Sequence, residues 1–423
     1  MNVHERLTEK ELAEGAGVAP ALVRRLADLG IVPGEDGEGF PASDARRVRV
    51  AQACDRAGLP LDGIAKAIAE GRLSLAFLDA AQYEWAGHSG KTYWQACDEF
   101  GLSMDLVRGV HQALGQAPPD EGDIVREDDL EFLPVLATSV AAGIGEDAII
   151  RTTRVYGEAL RRIAQAESQV FRAAIEEPLL RSGLDRPQMM EIASAFGAQF
   201  MATMDGAFLR MYHRQQEHAW IDQMIGQFED TLEDMGIHER LAHPPAMCFL
   251  DLTGYTRLTE ERGDEAAADL AASLATLVQR VSQHHGGLPV KYLGDGVMFF
   301  FKEPGQAVVS ALEMVEEAPA AGLPPAHVGL DAGYVVQQDG DYYGRTVNVA
   351  ARIAGRAGPN VVLVSEEVTR ISGASGISGA SGRVRFDDLG PVELKNVSRP
   401  VRLYRASRRA SRAIETSAPD QPM

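Results

Sequence analysis

The chain has 423 residues, 45% of them hydrophobic and 24% charged, with a formal net charge of −20 at pH 7. That length suits two to four domains, and the acidic balance argues against broad nonspecific binding to nucleic acid or to anionic membrane. Cys54, Cys97 and Cys248 lie far apart without metal-ligand spacing, no apolar run reaches the length of a membrane span, and MNVHERLTEKELAEG lacks the pattern of a signal peptide, so a soluble cytoplasmic protein with no membrane partner is expected.

In chain order, LTEKELAEGAGVAPALVRRLADLGIVP predicts a helix, a turn at Gly15–Gly17, a second helix and a stop at Gly30 and Pro33. A repeat follows. GVAPALVRRLADLG from Gly17 is echoed by GLSMDLVRGVHQALG from Gly101, and AGLPLDGI from Ala57 by AGIGEDAI from Ala142, at offsets of 84 and 85 residues. The first copy resembles the helix-turn-helix module of MerR-type regulators, with a short wing around EDGEGFPASDARRV. Its charge does not favour DNA. Residues 1–80 carry 10 Lys+Arg against 13 Asp+Glu, and residues 91–157 carry 5 against 12, whereas duplex binding rests on a basic footprint. The cluster Arg46, Arg47, Arg49 reads as a solvated helix face, and nucleic acid is not an expected partner.

Residues from about 157 to 235 read as almost wholly helical. Phe196, Phe200, Met204, Phe208 and Tyr212 recur at i+4 steps, which reads as a bundle core or a dimer seam. After Pro244-Pro245 the pattern changes. AMCFLDL, VMFFF, HVGLDAGYVV and NVVLVS read as strands, with helices at about 264–285 and 304–317, so an α/β or α+β domain is expected. ISGASGISGASG from Ile371 reads as a surface loop, and the polar tail after about Ser407 as disordered.

Four stretches of this last region carry chemistry. In FLDLTGYT, Asp251 ends an apolar strand and Gly254 allows a close backbone turn, whose N–H groups suit a triphosphate. In VKYLGDGVMFFF, Asp295 sits in a hairpin turn. Carboxylates on two neighbouring strand ends suit Mg²⁺ or Mn²⁺, and two such ions serve phosphoryl chemistry. The hairpin accounts for Gly-Asp-Gly but leaves Lys291 unexplained. In DYYGRTVNVAAR, Asn348 and Arg352 stand at i and i+4, on one helix face, where an amide beside a guanidinium suits a ribose and a phosphoryl transition state. In GPVELKNVSRPVRLYR, Lys395 lies in a turn between two strand patterns.

In this order the four stretches resemble the class III nucleotidyl cyclase catalytic domain over about residues 244–406. The resemblance implies that Asp251 and Asp295, with Leu252 beside them, hold two Mg²⁺ or Mn²⁺ ions. It implies that Lys291 and Asp341 recognise the purine and that Asn348 and Arg352 are catalytic. It also implies that Lys395 and the turn residues Gly254 and Tyr255 bind the substrate phosphates. Active sites of this family form between two catalytic domains, so Asp295 and Lys291 would serve different pockets and a homodimer is implied. A lysine donor and an aspartate acceptor match adenine N1 and N6 and mismatch guanine. At about 1–3 kcal/mol for each mismatched buried contact, two separate ATP from GTP by roughly 10²–10⁴. ATP is the expected substrate and cyclic AMP the expected product.

KTYWQACDEFGLSMDLVRGVHQALG, LRRIAQAESQVFRAAIE and MDGAFLRMYHRQQEH resemble the regulatory domain of a pH-controlled mycobacterial adenylyl cyclase, which implies inhibition at neutral pH and release in acid. The extra N-terminal repeat departs from that pattern. The expected organisation is a MerR-like module over 1–84, a helical regulatory domain over 85–204, a linker helix over 205–240, an α+β, ferredoxin-like catalytic domain over 241–406 and a tail over 407–423. The linker helix carries His213 and His218 next to Arg210 and Arg214, so acid would add charge there. A DNA-binding regulator with a vestigial cyclase domain would lack the metal aspartates, and a nucleotide sensor would lack Asn348 or Arg352. None of these is missing. No GGDEF-type signature of a diguanylate cyclase is present.

Overall fold

The computed structural model describes residues 6–33, 39–41, 43–79, 87–237, 243–374 and 384–409. Two compact units divide at Thr231 and Leu232. None of the helices among the described residues is long and apolar enough to cross a membrane.

The first unit holds two successive repeats of one element order. The first runs β1 (Arg6–Leu7), α1 (Glu9–Ala16), α2 (Pro20–Asp28), β2 (Phe40–Pro41), α3 (Asp44–Arg56) and α4 (Leu61–Ala69). The second runs β3 (His88–Thr92), α5 (Tyr93–Phe100), α6 (Met104–Ala113), β4 (Ile124–Arg126), α7 (Glu127–Ala141) and α8 (Glu146–Phe171). In each, two short strands pair antiparallel, β1 with β2 and β3 with β4. The punctuation repeats too. Thr8 with Glu11 and Thr92 with Gln95 form capping boxes that satisfy the first N–H groups of α1 and α5. Gly17 and Gly101 then end those helices with φ of 69° and 65°, where a side chain would strain. Residues 34–38 and 42 of the expected wing lie outside the described residues.

Three arginines of α3 are half-buried and turn inward. Arg46 donates to the Leu78 carbonyl, Arg47 pairs with the fully buried Asp44, and Arg49 donates to the Gly15 carbonyl at 2.6 Å. His88 of the second repeat meets the same Gly15 carbonyl at 3.0 Å. The expected solvated face is therefore corrected: Arg46 and Arg49 tie α3 to carbonyls of neighbouring segments, and Arg47 pairs with a carboxylate of α3 itself.

A π-helical turn (Arg172–Glu176) and α9 (Glu177–Arg181) follow α8, and α10 runs unbroken over 49 residues from Arg186 to Asp234. Residue 204, expected to end one domain, lies inside this helix. Pro178, which has no N–H to give and clashes with the preceding turn, lies two residues beyond the end of the widened π turn. Of the apolar stripe on α10, Phe196, Phe200 and Tyr212 are exposed on the chain.

The second unit is built on one seven-stranded sheet. Its elements are β5 (Ala246–Leu252), α11 (Tyr255–Arg262), α12 (Asp264–His284), β6 (Gly287–Leu293), β7 (Gly296–Phe301), α13 (Pro304–Glu317), β8 (Ala326–Ala332), β9 (Val336–Gln338), β10 (Asp341–Tyr343), α14 (Arg345–Ala354), β11 (Val362–Ser365), α15 (Glu366–Ala374), β12 (Val384–Val392) and β13 (Val401–Arg408). The sheet order is β12-β13-β11-β8-β5-β7-β6. Within it β8-β5-β7-β6 has the strand order of a split βαβ sandwich, the expected ferredoxin-like arrangement. Among the described residues, only β8 and β11 pair parallel.

Period-two alternation sorts the sheet residues onto two faces. Cys248, Leu250, Val297, Phe299 and Phe301 pack with α12 and α13 into the main core. Met247 and Met298 face the other way, with Tyr342 and Ala350 of β10 and α14. The apolar run VMFFF is thus an interior strand, as expected. Gly329 sets how closely α14 approaches. A Cβ there would lie 2.0 Å from the Ala354 nitrogen and 2.7 Å from the Ala350 oxygen, so only glycine admits the helix at this height.

Two expectations fall partly outside the described residues. The Gly/Ser stretch begins inside α15, and residues 375–383 are not described. In the expected tail, Ser407 and Arg408 belong to β13, and residues 410–423 are not described.

Candidate active site

Asp251 is the sixth residue of β5, on the α14 face with Met247 and Phe249. Its ladder partners are Gly296 of β7 and His327 of β8. A Cβ on Gly296 would sit 3.5 Å from Asp251 Oδ1 and 3.3 Å from the Leu250 oxygen, so the missing side chain leaves the space beside the carboxylate open. Asp295 stands next to Gly296 in the tight turn that joins β6 to β7, where Gly294 takes a φ of 71°. Partial burial, and then the nearby Asp295 charge, raise the Asp251 carboxyl above its ordinary range. Neither aspartate has a lysine or arginine partner among the described residues. Two carboxylates that repel each other at a half-open strand end fit a hard divalent cation, with substrate oxygens and water to complete its shell.

Beyond Asp251, the Leu252 side chain is buried in the helix-covered core, so only its main chain can face a cation. Gly254 adopts a φ of 80° and caps α11, which opens the turn expected to face phosphates. Tyr255 departs from its expected role. Its hydroxyl donates to the Ala267 carbonyl at 3.0 Å and its ring packs on the core. The side chain fastens α11 to α12, so at most its backbone faces the turn.

Lys291 owes its position to a β-bulge. The β6–β7 register passes from Pro289 opposite Phe299 to Lys291 opposite Met298, leaving Val290 as the extra residue. Had Val290 taken the place opposite Met298, Lys291 would stand opposite Val297 and point into the helix-covered core. Instead it reaches the α14 face and donates to Asp341 Oδ2, 50 residues further along the chain. Tyr292, next in the ladder, turns to the helix side, its hydroxyl 3.5 Å from Gln279 Oε1. Asp341 opens β10, whose hairpin with β9 packs over the sheet through Tyr342, stacked on Phe300 at 4.8 Å between centroids.

Asn348 and Arg352 are both exposed on α14, opposite the face that buries Val349, Ala350 and Ile353. Lys395 is exposed in the turn between β12 and β13, after the buried Leu394 and before Asn396, whose φ is 62°. His213 and His218 lie on α10 and are exposed on the chain, so the partial burial that would let their protonation shift a packing equilibrium is absent within it.

Two polar residues of the otherwise apolar strand AHVGLDA escaped sequence reasoning. His327 is 9% exposed, its Nε2 3.7 Å from Asp251 Oδ2 and its Nδ1 3.2 Å from the Thr253 hydroxyl. Burial lowers its imidazole, while the two aspartates pull the other way. Asp331 is buried, and desolvation pushes its carboxyl up to about 6, with Ser365 and Arg345 acting in the opposite sense. A polar side chain at a strand position that alternation marks as buried was the available signal.

Residues 240–405 match the family described as adenylate and guanylate cyclase catalytic domain, and residues 42–216 match the adenylate cyclase regulatory domain. The uncharacterized protein Rv2212 of Mycobacterium tuberculosis is 31% identical over 67% of this chain and 73% of its own length. The pH-sensitive adenylate cyclase MT1302 of the same species is 27% identical over 74% of this chain and 77% of that protein. An adenylate cyclase of Streptomyces coelicolor is 30% identical over 66% and 72%. The crystal structure of the adenylyl cyclase CyaB from P. aeruginosa is 22% identical, covers 40% of this chain and 96% of that one, and gives a TM-score of 0.35. With two carboxylates at adjacent strand ends, the two domain-family matches and the sequence relatives that cover both units, the chain belongs to the class III adenylate cyclases, with an adenylate cyclase regulatory domain ahead of the catalytic domain.

Proposed function

We propose that this adenylate cyclase converts ATP to 3′,5′-cyclic AMP and pyrophosphate in pockets completed by a second copy of the chain. The observation that carries the residue assignment is the Lys291–Asp341 pair. Two groups remote in sequence meet on the α14 face as donor and acceptor, the combination that adenine N1 and N6 require. In the free enzyme they satisfy each other, and the purine edge replaces that contact with two of its own.

Asp251 and Asp295 would hold two divalent ions, Mg²⁺ or Mn²⁺, which would supply charge neutralisation at the triphosphate and lower the cost of ionising the ribose 3′-hydroxyl. The 3′-hydroxyl gives its proton to solvent water, its oxygen attacks the α-phosphorus, and as the new P–O bond forms the bond from the α-phosphorus to the α,β-bridging oxygen breaks, pyrophosphate leaving with the electron pair. Asn348 orients the ribose, Arg352 neutralises charge that develops on the α-phosphoryl oxygens, and Lys395 contacts the leaving phosphates. The turn at Gly254 receives phosphate on its backbone N–H groups.

The N-terminal repeats are helix-turn-helix-like modules that act on protein rather than on DNA. Support comes from their arginines. Arg24 is bidentate to Glu9, and Arg46, Arg47, Arg49 and Arg108 each bond within the unit, which leaves these side chains committed before any phosphate arrives. Regulation passes through α10, and the likeness to a cyclase named as pH-sensitive favours acid as the stimulus.

The test is incubation of purified protein with ATP, and separately GTP, with Mn²⁺ or Mg²⁺ at pH 5.5 and 8, and identification of product by mass. Cyclic AMP formation, lost in Asp251→Ala, is expected. Cyclic GMP as the main product would refute the purine assignment, and full activity of Asp251→Ala would refute the metal assignment.

A further inference from the structure

The turn that follows Asp251 is held by two hydrogen bonds, one to β8 and one to the residue just before it. The Thr253 N–H donates to the Pro325 carbonyl at 2.9 Å, and the Thr253 hydroxyl lies 3.2 Å from His327 Nδ1. His327 stands directly opposite Asp251 in the β5–β8 ladder, with its ring nine-tenths buried. Its other nitrogen faces Asp251 Oδ2 at 3.7 Å.

The order of these groups favours one tautomer, although 3.7 Å makes the Nε2–Asp251 approach an electrostatic contact rather than a hydrogen bond. A carboxylate offers only lone pairs, so a ring nitrogen facing it is favourable when it carries the hydrogen. That places the hydrogen on Nε2 and leaves Nδ1 as the acceptor of the Thr253 hydroxyl. The opposite tautomer would aim a lone pair at the carboxylate. One ring thus faces both ends of a three-residue segment, hydrogen-bonded to the Thr253 hydroxyl and in electrostatic contact with the Asp251 carboxylate. Its burial between the sheet and that segment leaves it little freedom to turn.

We propose that His327 is a positioning residue for the metal centre: held by Thr253, it turns Nε2–H toward one oxygen of Asp251 across 3.7 Å, and this electrostatic contact biases the carboxylate toward the cation. The inference rests on the assignment of Asp251 as a metal ligand. Partners of this kind around a ligand typically affect metal affinity by about 10–100-fold. His327 touches neither the purine nor the ribose in this reading, so its loss acts on the metal and not on nucleotide selection.

The two nitrogens are separable by substitution. Glutamine carries an amide nitrogen near the position of Nε2, and asparagine carries its amide near Nδ1. Mn²⁺ binding to the full-length protein, followed by electron paramagnetic resonance with a non-cyclisable ATP analogue present, reads the effect without turnover. Steady-state Mn²⁺ and ATP titrations accompany it. His327→Ala and His327→Asn are expected to weaken Mn²⁺ binding by about 10-fold or more with the KM for ATP changed far less, His327→Gln to restore much of the loss, and Thr253→Val to give a smaller weakening in the same direction. Wild-type Mn²⁺ affinity in His327→Ala overturns the proposal, as does a His327→Gln protein as impaired as His327→Asn. If His327→Ala does not fold, the Gln and Thr253→Val proteins carry the test, and wild-type affinity in Thr253→Val together with no Gln advantage over Asn overturns it. Asp251→Ala serves as the reference. If it leaves Mn²⁺ binding intact, the metal assignment itself fails. If it abolishes binding while His327→Ala does not alter it, only the positioning role fails.

Discussion

Gly329→Ala tests how the sheet sets the height of the catalytic helix. The added methyl would meet Ala354 N at 2.0 Å, Ala354 Cα at 2.6 Å and Ala350 O at 2.7 Å. All three are backbone atoms of α14, so no side chain can swing aside. Restoring ordinary contact of about 3.5 Å requires α14 to lift by roughly 1–1.5 Å or β8 to sink by as much. Overpacking of this kind costs about 1–3 kcal/mol, which lowers the melting temperature by about 2–4 °C for each kcal/mol in a domain of this size. The larger effect falls on Asn348 and Arg352, which ride on α14. A misplacement near 1 Å at a reacting centre costs about 100-fold in rate. The expected result is therefore a folded, modestly destabilised protein with kcat reduced about 100-fold and Mn²⁺ binding nearly intact, because Asp251 and Asp295 sit on other elements. Differential scanning calorimetry, cyclic AMP assays and Mn²⁺ titration measure the three quantities. A Gly329→Ala protein with kcat within twofold of wild type would show that the helix height does not govern catalysis.

Asp251→Ala and Arg352→Ala chains are expected to be inactive alone and, once subunits exchange in an equimolar mixture, to regain about a quarter of wild-type activity, since half of the dimers carry one intact pocket of two; no recovery despite proven exchange refutes the shared site. For Asp331, the folded carboxyl titrates at about 6 against an ordinary 3.8, so the folded state holds a proton that the unfolded chain has released. Its contribution is present below about pH 3.8 and is lost as pH rises through about 6, a difference of about 3 kcal/mol that disfavours the fold at neutral pH. Asp331→Asn is expected to raise the melting temperature at pH 7.5 more than at pH 5, and an equal change at both pH values refutes the assignment. If His213 and His218 carry the acid response, His213→Ala with His218→Ala removes acid activation of the full-length enzyme; an unaltered response takes these two exposed side chains out of regulation and leaves the cyclase chemistry untouched.

Much of this protein is legible in its sequence. Strand and helix runs from 246 to 317 follow from alternation and helical period, because each element buries one face or one stripe and its sequence must carry that pattern. The repeat was readable for a similar reason: glycines that end helices in the left-handed region and threonines that cap them recur at a fixed spacing, since few other residues satisfy those backbone demands. The metal aspartates, the lysine, and the asparagine and arginine of the helix were legible as types at ordered spacings. Their mutual geometry was not. The bulge at Val290 leaves no mark in the pattern, yet it alone turns Lys291 from the core face to Asp341, because facing direction in a strand depends on register with a partner. The fate of Arg46, Arg47 and Arg49 depended on carbonyl and carboxylate groups that only folding brings within reach. The Tyr255 hydroxyl went to Ala267 for the same reason. His327 and Asp331 acquire their character from burial beside particular neighbours, and desolvation is a property of the packed environment rather than of the residue.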